Sequence, residues 1–210
     1  MDFDAAAATW DEDEQRTRRT RAIAAEMRSR LGDRTRRRAL DFGAGTGALS
    51  LLLADRFEEI LLVDTSPGML ATAAGKVAAA GPALAARIRP LPVDLTSDDV
   101  TGRPEPGSVD VVYTAMALHH VPDPAALLRT FHALLVPDGL LLVADLVAEE
   151  ASHHPADDDA FGGFHGFRRD ELEGLVAAAG FAPAAFTTVF VVRRDEQDYP
   201  VFLAVARRVP

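Results

Sequence analysis

ALDFGAGTGALSLLLA, residues 39–54, sets three glycines at alternate positions between two apolar runs. The first run, Ala39 to Phe42, reads as the end of a buried strand. The second, from Ala48, is long enough to begin a helix. Glycines in such a turn allow backbone angles and close approaches that a side chain would block. A helix starting there points its free N–H groups at whatever occupies the turn. The stretch therefore describes a backbone-lined pocket at the carboxyl end of a strand.

Working outward, strands and helices alternate. Ile23, Ala24, Met27 and Leu31 recur at helical spacing, so a helix is expected over 11–31, ended by Gly32. Strands are expected at 38–42, 59–63, 88–93, 109–113 and 139–147. Ser66-Pro67 and Asp123-Pro124 supply an N-cap and a first-turn proline for two intervening helices. Strands that are continuous apolar runs mark a parallel sheet buried on both faces. After Ala148 the pattern changes to an irregular segment over 149–167 and a helix over 169–179. Residues 186–192 and 201–206 then flank DEQDY as a hairpin. The expected architecture is a single α/β domain over 1–210, doubly wound and mostly parallel, with a C-terminal antiparallel hairpin. Residues 1–35 form a helical lead-in.

Composition narrows the function. The chain has 210 residues, no cysteine and a formal net charge of −10. Disulfides, thiolate metal sites and thiol nucleophiles are excluded. The acidic N-terminus lacks a basic-then-apolar leader pattern, and no apolar run nears the ~20 residues of a membrane span. The longest run, Gly139 to Ala148, is cut by Asp145. A soluble cytoplasmic protein without membrane or nucleic acid partners is expected, since polyanion binding needs a basic footprint. Ten arginines do cluster between Arg16 and Arg38. They read either as a solvated helix face or as an anion-binding surface.

Two acids stand at matching strand ends, Asp64 after the second strand and Asp94 after the third. In an open parallel sheet the ligand sits outside the carboxyl strand ends. An acid about 20 residues past a glycine turn is placed to take both hydroxyls of a ribose. The alternative role for Asp64 is capping the helix that begins at Pro67. GAGTGA alone does not choose the nucleotide.

Read together, LDFGAGTGALS, LLVDTSPGML, PVDLTSD, VDVVYTAMALHHVPDP and LLVPDGLLLVADL resemble the class I S-adenosylmethionine-dependent methyltransferases, in that family's order and spacing. FHGFRRDELEGLVAAAGF is similar to the family's last helix, and FDAAAATWDE to the lead-in of its small-molecule members. The resemblance implies a seven-stranded sheet, S-adenosylmethionine as cofactor and a small-molecule acceptor. It implies that Gly43, Ala44, Gly45 and Gly47 pass under the methionine part, with Asp41 near the amine. Asp64 would hold the ribose, Thr65 and Met69 would flank the adenine, and Asp94 with the Leu95 backbone would meet its edge. Thr114 would face the amine through its backbone. Ala44 stands where family members often carry cysteine.

The acceptor side is less defined. His119 and His120 follow strand four, and His165 lies in FGGFHGF; all three are candidate bases with a suitable pKa range. Each also has a plain packing or solvated reading. Trp10, Met116, Phe164 and Phe167 are candidate acceptor contacts, and 149–168 is expected to form a flap. His153, His154, Asp157, Asp158, Asp159 and His165 mix metal-ligand types but lack a ligand spacing, so no metal is expected. Competing readings are a nicotinamide-dependent oxidoreductase on the same glycine turn, or a non-catalytic partner subunit. The first lacks a Tyr-x-x-x-Lys pair and gives Asp94 no role. The intact acids Asp41, Asp64 and Asp94 argue against the second.

Overall fold

The structure is a computed structural model that describes residues 2–148, 166–194 and 197–209. The strands are β1 (Arg36–Phe42), β2 (Phe57–Val63), β3 (Ile88–Leu91), β4 (Val109–Ala115), β5 (Leu135–Leu146), β6 (Ala185–Arg194) and β7 (Gln197–Arg207). They form one seven-stranded sheet in the order β3-β2-β1-β4-β5-β7-β6. All pairs are parallel except β5–β7 and β6–β7, so the last two strands are the antiparallel hairpin expected from sequence.

The helices are α1 (Phe3–Ala6), α2 (Glu14–Leu31), α3 (Ala48–Leu53), α4 (Pro67–Ala79), α5 (Pro82–Ala85), α6 (Pro124–Leu134) and α7 (Arg169–Ala178). On one face of the sheet Leu40, Val112, Leu141 and Val143 pack with Leu128 and Phe131 of α6 and Leu172 and Val176 of α7. On the other, Ala39, Leu62, Val111 and Leu142 pack with Ile23 and Met27 of α2, Leu53 of α3 and Ala73 of α4. Neighbouring strand residues serve opposite cores, which is why each strand reads as an unbroken apolar run. No helix among the described residues is long and apolar enough to cross a membrane.

Several boundaries differ from expectation. The helix expected over 11–31 begins at Glu14, because Asp13 caps it by accepting from the Arg16 amide at 2.8 Å. Residues 7–12 form a 3₁₀ stretch instead. β3 stops at Leu91, short of Val93, because the Val93 amide turns back to donate to the Leu91 carbonyl at 2.9 Å instead of extending the pairing with β2. β5 starts four residues early: Val109 pairs with Leu135 and Val111 with Leu140, a bulge whose Asp138 takes φ +61°.

Candidate active site

Where the strand order turns about β1 and β4, their carboxyl ends open on a cavity of about 670 Å³, a size suited to small ligands. Its floor is the glycine elbow. Gly43, Gly45 and Gly47 all have positive φ. A Cβ on Gly43 would lie 2.4 Å from the Ala117 Cβ, so β1 can approach the loop after β4 only through glycine. The Ala44 amide donates to the Val63 carbonyl at 3.0 Å, holding the elbow against the end of β2.

Asp64 fixes the same junction from the other side. Its Oδ2 accepts from the Gly45 amide at 2.8 Å and its Oδ1 from the Ser66 amide at 2.9 Å. A carboxylate has about four acceptor sites, so each oxygen keeps capacity for a ligand hydroxyl. Asp94 also lines the cavity, beside Val93 and Thr96. Its Oδ1 accepts from the Thr96 hydroxyl at 2.6 Å and amide at 2.8 Å, which lowers its pKa and keeps it ionised.

Asp41 lies under the elbow and is 2% exposed. Burial raises its pKa, the Ser50 hydroxyl donating at 2.7 Å opposes the rise, and the Asp64 charge adds to it, leaving the carboxyl at about 8. The Ser50 hydroxyl also lies 2.5 Å from the Tyr113 hydroxyl, so a buried polar chain runs Asp41–Ser50–Tyr113.

The lead-in closes over this floor. Asp4 Oδ1 accepts from the Ser66 hydroxyl at 2.5 Å and the Gly68 amide at 2.8 Å, and these bonds lower its pKa. Asp11 accepts from the Thr46 hydroxyl at 2.9 Å and from Lys76 Nζ at 2.8 Å. Trp10 lines the cavity with the Arg16 guanidinium 3.8 Å above its ring.

The histidines separate into different settings. His119 is buried, and its Nδ1 lies 2.6 Å from Asp145 Oδ1 while its amide donates to Oδ2 at 3.1 Å. His120 lines the cavity mouth, its ring 4.1 Å from that of His119 and edge-on to Phe3. Partial burial, then His119, pushes its pKa down to about 4. The imidazole is therefore neutral at pH 7.

Of the residues singled out from sequence, Asp41, Gly43, Ala44, Gly45, Asp64, Thr65, Met69, Asp94, Trp10, Met116 and His120 share this cavity. Gly47 caps α3 just behind it. Leu95, Thr114, His119 and Phe167 do not line it; all four are buried. At the end of β4 the lining falls to Ala115, Met116 and Ala117, because the strand runs two residues further than expected. Phe167 packs in the core and bridges to Val147. Phe164, His165 and residues 149–165 of the flap expected over 149–168 lie outside the described residues, as do His153, His154 and the neighbouring acids.

Sequence reasoning missed Asp4, Asp11, Arg19 and Asp145. Asp145 carried a signal: an acid inside an apolar strand demands a buried partner, here His119. Met116, expected among the acceptor contacts, takes φ +58° at the cavity wall, a strained conformation for a residue with a side chain that the sequence did not signal.

Comparison with known proteins agrees with this geometry. Residues 13–185 match the methyltransferase domain family. A trans-aconitate 2-methyltransferase from Methylobacterium radiotolerans is 36% identical over 144 residues, 68% of this chain and 48% of that protein. A malonyl-[acyl-carrier protein] O-methyltransferase from Laribacter hongkongensis is 34% identical over 156 residues, 69% of this chain and 48% of that protein. The chain thus spans about half the length of these curated relatives. Among solved structures, the Burkholderia thailandensis 1,6-didemethyltoxoflavin-N1-methyltransferase, with its substrate and S-adenosylhomocysteine bound, superposes with a TM-score of 0.70 at 22% identity. The superposition covers 100% of this chain and 86% of that one. On the family match, the chain belongs to the methyltransferase domain family, of the class I S-adenosylmethionine-dependent type.

Proposed function

We propose that the chain binds S-adenosylmethionine at the glycine elbow and methylates a small-molecule acceptor. The observation that carries this reading is that the elbow, Asp64 and Asp94 line a single cavity under the lead-in. The residues fit the cofactor: glycines leave room where a Cβ would intrude, and Asp64 keeps acceptor capacity facing the cavity. Bound there, S-adenosylmethionine supplies a methyl group on a positive sulfur, ready for in-line displacement. The chain's contribution is to hold and align, which can supply several kcal/mol.

Asp64 is the ribose acceptor in this reading, and Asp94 the adenine contact. Asp41, at about pKa 8 without a ligand, is easily ionised by a cationic amine brought near it, and then holds that amine electrostatically. Arg16 and Phe3 brace Trp10, and the lead-in excludes water above the elbow. Neutral His120 can accept a hydrogen bond from an acceptor hydroxyl or amine at the cavity edge, with His119–Asp145 fixing the segment beneath it.

The relatives direct the test. Purified protein with deuteromethyl S-adenosylmethionine is offered trans-aconitate, a malonyl thioester and 1,6-didemethyltoxoflavin. Deuteromethyl transfer to any acceptor, seen by mass spectrometry with matching S-adenosylhomocysteine, supports the proposal. No turnover together with no cofactor binding favours the non-catalytic reading.

A further inference from the structure

Arg19 lies on the side of α2 that faces the cavity, one turn after Arg16 and one before the core residue Ile23. It is half-buried, its Nε is shut off from water, and it makes no hydrogen bond or ion pair with any described residue. Arginines in such settings are normally paired, because an uncompensated guanidinium loses its hydration without return. The nearby acids are committed elsewhere. Asp13 caps α2 through the Arg16 amide, and both Asp145 oxygens accept from His119 or the Leu146 amide. Burial, reinforced by the neighbouring Arg16 charge, lowers the Arg19 pKa.

The cavity is also polarised. Its acids, Asp41, Asp64, Asp94 and Asp11, stand around the elbow and each already accepts from a local donor. The Arg19 guanidinium, without a partner among the described residues, lines the same cavity within electrostatic reach of Asp145. Arg16 is already engaged with the Trp10 carbonyl and ring.

Building on the methyltransferase reading above, we propose that Arg19 recognises a carboxylate on the methyl acceptor. The planar fork of a guanidinium matches a carboxylate through two parallel hydrogen bonds. The Arg19 guanidinium balances one negative charge, whereas a phosphate dianion would bring a second charge into a half-buried site.

The test uses the full chain saturated with S-adenosylhomocysteine and matched probes: benzoate with benzamide, cinnamate with cinnamamide, butyrate with butyramide, and phenyl phosphate. Binding is read by ligand-observed NMR in the wild type, Arg19→Gln and Arg19→Lys. At least one carboxylate is expected to bind ~10-fold more tightly than its amide in the wild type. The preference is expected to vanish in Arg19→Gln and to survive in part in Arg19→Lys. A preference that persists in Arg19→Gln, no preference in any pair, or selection of phenyl phosphate alone overturns the proposal. Titration of S-adenosylhomocysteine into each variant reports its folding. Failure of that titration in the wild type overturns the methyltransferase reading itself, and this proposal with it.

Discussion

The Asp64 carboxylate holds the Gly45 amide at 2.8 Å, so the end of the second strand and the middle of the glycine elbow form one rigid corner of the cavity. The same group is the ribose acceptor in the proposed function. Replacing Asp64 with alanine is expected to weaken S-adenosylhomocysteine binding by ~1–3 kcal/mol, by removing acceptors from a buried hydroxyl pair and loosening the elbow. Isothermal titration measures it, and wild-type affinity in the variant would discard the assignment.

The elbow glycines are expected to differ when each is changed to alanine. At Gly43 the new methyl meets Ala117 Cβ at 2.4 Å on a backbone with φ +65°, so destabilisation of ~2–4 kcal/mol is expected. At Gly45 the nearest atom is Met69 Sδ at 3.9 Å, and only the φ of +52° opposes the change. That variant is expected to lose ~1 kcal/mol of stability. Its larger loss is in cofactor affinity, because the methyl protrudes into the cavity. Urea unfolding alongside titration separates the two effects.

Asp41 gives the unliganded protein a pH signature. Its native pKa of about 8 lies above the ordinary carboxylate value of 3.8. Between those values the native state keeps a proton that the unfolded chain has lost, so stability falls as pH rises towards 8 and then levels. Asp41→Asn removes this slope. At pH 8.5 the variant is expected to be more stable than wild type by ~2–4 kcal/mol, with little difference at pH 4. Urea midpoints across this range check it; an unchanged slope would show that Asp41 is not the group responsible.

The lead-in latch includes an exposed ion pair, which concerns kinetics more than stability. Lys76–Asp11 at 2.8 Å contributes at most ~1 kcal/mol to folding. Asp11→Ala is expected to leave the melting temperature nearly unchanged while S-adenosylhomocysteine dissociates several-fold faster. Trp10, the single tryptophan, lines the cavity and reports release by stopped-flow fluorescence.

Most of the architecture was legible because local signals agreed with the final packing. The Ser66-Pro67 and Asp123-Pro124 caps, the glycine elbow and the hairpin each stand where the sequence puts them. Strand ends were less legible, because the end of β3 and the bulge at Asp138 are set by sheet pairing rather than local preference. The floor of the candidate site could be read because glycines and strand-end acids keep a fixed relation to the sheet. The acceptor side could not. Asp11 meets Thr46 and Lys76 across 35 and 65 residues, and Asp145 meets His119 across 26, contacts set only by tertiary packing.

The central claim is that the elbow, with acids on two neighbouring strand ends, cradles S-adenosylmethionine. Equilibrium titration of the wild-type chain with S-adenosylhomocysteine and, separately, with NADH tests it most directly. The account expects one-to-one micromolar binding of S-adenosylhomocysteine and none of NADH. Binding of NADH without S-adenosylhomocysteine would contradict it.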